Sequence, residues 1–192
     1  MLDIRARRPA IKGEWPEISG TRDLVSSNPR MKRRALVLTC GNPQRGDDGA
    51  AEHIAKALLA GFCDIDTKVR SSQQWLPEMA EAISGVGLVI FVDASAELEP
   101  GKVRTQLLKP GAVSPQSFTH SMNPEVLLAL AKQLYGNAPG SAYLVTIGGE
   151  SFELSEQLTD TVRHAIPIAL DQVKALLSGV SVPHPERHSH SE

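Results

Sequence analysis

The stretch Gly41-Asn42-Pro43-Gln44-Arg45-Gly46-Asp47-Asp48-Gly49 decides how this chain is read. It follows the apolar run Ala35-Leu36-Val37-Leu38, which reads as a buried strand. It precedes residues 50–59, where Ala51, Ile54, Ala55, Leu58 and Leu59 recur at helical spacing and Gly61 supplies a stop. Two adjacent carboxylates, Asp47 and Asp48, therefore stand where a strand turns into a helix. In open α/β sheets that crevice, beyond the carboxyl end of a strand, is where ligands bind. The glycines allow a backbone path that a side chain would block. Paired acids repel a phosphate, so the loop points to a cation, and the spacing of a dinucleotide fingerprint or a Walker phosphate loop is not met.

Outward from this loop, extended and helical patterns alternate. Strands are expected over residues 34–39, 65–70, 88–92, 102–108 and 142–147. A helix is expected over 75–83, with Pro77 near its start. Another should run from an Asn123 cap and Pro124 to a Gly136 stop, burying Leu127, Leu128, Ala131 and Leu134. A long last helix should begin at a Thr159 cap and reach Leu177, kinked at Pro167. Alternation of this kind predicts a single three-layer α/β domain, a twisted, mostly parallel sheet of about five strands with helices on both faces. Residues 31–180 form that domain. Residues 1–30, mixed in Arg, Pro, Gly and Ser, read as a poorly ordered extension, with Met31 a candidate start. Residues 181–192 read as a polar tail in which His184, His188 and His190 offer only a loose hold on a metal.

The bulk numbers exclude several function classes. In 192 residues, 41% are hydrophobic and 22% charged, as in an ordinary globular domain. A net charge of −2 gives no basic field for nucleic acid and no polybasic face for a membrane. No apolar run approaches the ~20 residues of a membrane span. The N-terminal Arg5, Arg7 and Arg8 lack the apolar segment of a secretory signal, so a cytoplasmic protein is expected. Cys40 and Cys63 form no metal or disulfide pattern, which suits a reducing compartment. Cys40 lies near the Asp pair and could offer a thiol, though a small buried core residue is the preferred reading.

The remaining chemistry lies at strand ends. Asp48 follows the first strand, Asp93 ends the 88–92 strand, and His120 lies in the Ser-Phe-Thr-His-Ser loop before the Asn123 helix. The topology maps all three to one rim of the sheet. Two carboxylates and an imidazole suit a borderline divalent metal such as nickel or zinc, with positions left open. Each residue also has a plainer reading. Asp48 could favour the start of the next helix, an effect of ~0.3–1 kcal/mol, and Asp47 suits that role as well. Asp93 could be a turn former and His120 a surface residue. His53 and His164 fall on helices away from the rim.

Several blocks together resemble the nickel-iron hydrogenase maturation endopeptidases. They are Ala35 to Leu38 with Gly41-Asn42-Pro43 and Arg45-Gly46-Asp47-Asp48-Gly49, and Val89-Ile90-Phe91-Val92-Asp93-Ala94. His120 ahead of Glu125-Val126-Leu127-Leu128-Ala129-Leu130 follows, then Ile147 with Glu150-Ser151-Phe152-Glu153-Leu154-Ser155. The likeness spans residues 33–178. It implies a compact α/β fold and a peptidase that removes the carboxy-terminal extension of the hydrogenase large-subunit precursor after nickel insertion. It also implies that Asp48, Asp93 and His120 contact the metal. Nickel is then carried by the substrate, with zinc or cadmium able to substitute, and the partner is the precursor, met by a monomer. Asp48 stands where many members have Glu, Ala51 where they often have Gly, and Gly148-Gly149 where they have Gln-Pro. Either Asp47 or Asp48 could take the proton of the attacking water. The rival readings are a nickel-sensing chaperone that holds the precursor without cutting it, and a nucleotide-binding α/β module.

Overall fold

The apolar run at the head of the decisive stretch becomes β1, Ala35–Cys40, in which every residue is buried. A strand buried on both faces belongs in the middle of a parallel sheet. In the computed structural model, which describes residues 34–61, 66–112 and 122–179, β1 lies between β2 (Thr67–Ser72) and β3 (Leu88–Ser95) and is parallel to both. Beyond β3 come β5 (Ser141–Gly148), parallel to it, and then β4 (Val103–Leu107), antiparallel at the edge. The order β2-β1-β3-β5-β4 makes one five-stranded sheet.

Alternate side chains along the strands enter two cores, as the two-residue repeat of a strand requires. Val37, Ile90, Val92, Val145 and Ile147 face α1 (Ala50–Gly61) and α4 (Asp160–Leu177). Leu36, Leu38, Val89 and Phe91 face α2 (Met79–Ser84) and α3 (Pro124–Tyr135). The three layers are those expected from the alternation of patterns. Among the described residues no helix is long and apolar enough to cross a membrane.

The caps of α3 are as read from the sequence. Asn123 Oδ1 accepts the Val126 N–H at 2.9 Å, and Gly136 closes the helix in the left-handed conformation at φ 73°. Thr159 Oγ1 caps α4 through the Val162 N–H, and α4 continues through the exposed Pro167.

Three expectations need correction. α2 begins at Met79 rather than near Trp75, because Met79 and Ala80 donate back to the carbonyls of Leu76 and Pro77 in a preceding turn. Leu59 and Leu134 do not join the core; they are 64% and 62% exposed. Each follows or flanks the buried stripe of its helix, and the sheet covers a narrower strip than the apolar pattern offers. Residue 65 lies outside the described residues, as do the 1–30 extension and the 181–192 tail expected from the sequence.

Candidate active site

The loop between β1 and α1 is shaped by Gly41, whose φ of 145° and close backbone surroundings exclude a side chain. A Cβ there would lie 1.9 Å from the Asp48 carbonyl oxygen. The loop then folds on itself. Gln44 N–H donates to Asn42 Oδ1 at 2.9 Å, and Asn42 N–H donates to Asp48 Oδ2 at 2.8 Å. A short 3₁₀ turn, Gly46–Gly49, carries both acids into α1. Asp48 is half-buried, and Asn42 N–H is the partner that orients its carboxylate.

β3 runs two residues past Asp93, which the sequence reading placed at the strand's end; Asp93 thus lies in the last stretch of pairing with β5 and feels the charge of Asp48. Burial pushes its carboxyl up to about 7, against the stabilising Ala94 N–H; the Asp48 charge raises it further, and the Trp75 indole N–H opposes the rise. The Trp75 ring is itself fixed edge-on to Phe91, with centroids 5.3 Å apart. Cys40 lies within the field of both acids, and its thiol is pushed up to about 12, first by burial and then by Asp93 and Asp48. The thiol is thus held in its neutral form, as the core-residue reading expects. A cavity of about 240 Å³ opens beside it, walled by Thr39, Gly41, Glu52, Ser71 and Ser72. A larger cavity of about 490 Å³ lies at the opposite end of β1, around Arg34 and Asp66, away from the acids.

Asp47 has a different fate from its neighbour. Its side chain is fully buried, and its oxygens accept the N–H groups of Glu150 at 2.8 Å, Ser151 at 3.0 Å and Thr159 at 2.8 Å. The Thr159 hydroxyl adds a further bond at 2.9 Å. Burial opposes ionisation, but the N–H groups of Ser151, Thr159 and Glu150 outweigh it and hold the carboxyl below its ordinary value. The helix start served by Asp47 is that of α4, through Thr159, and not that of α1 as its place in the sequence suggests. An acid whose two oxygens are so engaged is a tie between segments, not a free base.

The sheet thus brings together Asp48, Asp93 and Cys40, while Asp47 turns away from them. His120 lies in residues 113–121, outside the described residues. Among the described residues no group of three His, Cys, Asp or Glu side chains is arranged to hold a metal. His53 and His164 are exposed on α1 and α4. Sequence reading missed Trp75 and the Asp47 tie; the partners of Asp47 lie more than a hundred positions away, and no local pattern announces them.

No family model matches the chain, and no curated protein matches its sequence. Solved structures do. The hydrogenase maturating endopeptidase HybD from E. coli is 27% identical, with a TM-score of 0.60 over 76% of this chain and 93% of that one. A solution structure of an endopeptidase from Escherichia coli is also 27% identical, with a TM-score of 0.61 over 77% and 95%. The [NiFe] hydrogenase maturation protease HybD from Thermococcus kodakarensis shares the fold at 21% identity, with a TM-score of 0.57 over 75% and 99%. Sheet order and layers are those of an α/β protein that shares its fold with these maturation endopeptidases. The chain is thus similar in fold, and at 27% identity in sequence, to a hydrogenase maturating endopeptidase.

Proposed function

We propose that this protein is the endopeptidase that removes the carboxy-terminal extension of a nickel-iron hydrogenase large-subunit precursor after nickel insertion. The observation that carries the reading is the meeting of Asp48 and Asp93 at one rim of this fold. The Asp48 charge raises the proton affinity of Asp93, and a cation between the two acids relieves that repulsion, so the rim suits a divalent ion presented by a partner. Nickel is cargo of the precursor, and Asp48, Asp93 and His120 are its contacts on this chain. Zinc or cadmium can stand in for it.

A metal at the scissile bond polarises the carbonyl and lowers the pKa of bound water. The chain's own part is to orient and to move a proton. Asp48, aligned by the Asn42 N–H, is the group placed to accept the proton of the attacking water. Asp47 keeps Asp48 in place by locking the preceding residue of the turn. The enzyme acts in the cytoplasm as a monomer.

Asp48→Ala should still bind the precursor and should fail to process it, with cleavage reduced at least about a hundredfold, as for loss of a general base. Cleavage by Asp48→Ala at the wild-type rate would sink the assignment. Binding without cleavage by the wild type would instead make the protein a nickel-sensing chaperone.

A further inference from the structure

Between the end of β5 and the Thr159 cap of α4, the chain crosses the same rim that carries Asp48 and Asp93. The crossing is held at many points. Gly149 N–H donates to the Ser95 carbonyl, Gly46 N–H to the Ser155 carbonyl and Ser155 N–H to the Gln44 carbonyl. Arg45 pairs with Ser155 as an isolated bridge, and its Nε donates to the Phe152 carbonyl at 3.4 Å. Asp47 secures Glu150, Ser151 and Thr159 from within. The Phe152 ring lies against Gly149, where a Cβ would come within 2.3 Å of it.

What this rigid loop presents outward is Leu154, 88% exposed, more than any other exposed large hydrophobic side chain of the described residues. Single exposed leucines are ordinary, and Leu59 and Leu134 on helix surfaces need no special account. Leu154 differs because a buried carboxylate and a set of cross-chain hydrogen bonds are committed to holding the loop that carries it. Glu150, Glu153 and Glu156 are exposed around it, and none forms an ion pair with a described residue.

We propose that loop 150–157 is the docking element for the protein substrate, with Leu154 entering an apolar socket on the precursor that is ringed by lysine or arginine side chains. The inference rests on the reading of the substrate as a folded protein cut at the Asp48–Asp93 rim. A preformed loop loses little conformational freedom on binding, an apolar anchor in a pocket makes a hot spot, and unpaired glutamates favour a basic rim opposite. The loop leaves the rim beside the acids, so a partner seated on it has its cleavable segment within reach of them.

The test compares full-length wild type, Leu154→Ser, the double variant Glu153→Lys/Glu156→Lys and a surface control, Leu59→Ser, for binding to nickel-loaded precursor by calorimetry and for kcat and KM. Leu154→Ser should weaken binding and raise KM by about tenfold or more, the loss expected for one buried leucine, with kcat unchanged. The charge-reversed variant should also bind more weakly and lose the salt dependence of the wild type. Leu59→Ser should behave as wild type. Equal binding by wild type and Leu154→Ser would overturn the docking inference alone. A wild type that neither binds nor cuts the precursor would overturn the functional reading itself.

Discussion

Asp47 and Asp48 are adjacent in sequence and opposite in role, and the difference is a matter of what surrounds each carboxylate. Removing the Asp47 side chain leaves buried N–H groups without acceptors, so Asp47→Ala should cost roughly 2–5 kcal/mol in urea unfolding. Its folded pKa is depressed, so its contribution is present above the ordinary carboxyl range and is lost as pH falls through the folded value. Asp93 has the opposite sign. Its folded value of about 7 lies above the ordinary 3.8, so the folded state binds the proton more tightly, and stability falls as pH rises between those values. Asp93→Asn should therefore be more stable than wild type at pH 8, by up to about 4 kcal/mol, with the gain shrinking towards pH 4. Equal melting of the two proteins at pH 8 would show that Asp93 is not held in an unfavourable charged state. A functional acid kept where it destabilises the fold is a common feature of active sites. Asp48 and Asp93 were legible in the sequence because each follows an apolar strand. Asp47 was only half legible: its adjacency to Asp48 is local, but the loop that occupies it is brought there by the closing of the whole fold.

At the scale of elements, the loop after β1 depends on Gly41, and the end of β5 depends on Gly148. A Cβ at Gly148 would sit 2.0 Å from the Glu99 carbonyl oxygen. This close approach accounts for glycine at Gly148, where the resemblance expects a larger residue. Gly41→Ala should destabilise the protein by roughly 1–3 kcal/mol from backbone strain alone and should also displace Asp48, so activity should fall more than stability predicts. Asn123→Ala, which removes the α3 cap, should cost about 1 kcal/mol in thermal unfolding and leave the rim unaffected. These caps were readable because their chemistry is local, an oxygen acceptor before the first turn and a left-handed glycine after the last. The widths of the buried stripes were not readable. Leu59 and Leu134 satisfy helical spacing as well as their buried neighbours, and only the packing of each helix on the sheet decides which leucines are covered. The start of α2 was missed for a similar reason, since residues 76–80 satisfy their hydrogen bonds equally well as a turn.

Across the whole molecule, five strands in the order β2-β1-β3-β5-β4 place the carboxyl ends of β1 and β3 side by side, and that adjacency makes a site of residues far apart in sequence. Alternation of strand and helix patterns was enough to foresee the layers, because the central strands carry apolar side chains to both faces and each helix buries one. It could not reveal the crossing of loop 150–157 over the rim, which joins the site to the far end of the chain. On the proposed function, the rim recognises nickel already seated in a precursor. Without nickel the two acids have no cation to bind, and the contact loses its main attraction. Purified protein should be mixed with precursor prepared with and without nickel, and the product masses recorded. The nickel-loaded form should lose its carboxy-terminal extension and the nickel-free form should stay intact, whereas equal cutting of both would refute recognition of nickel.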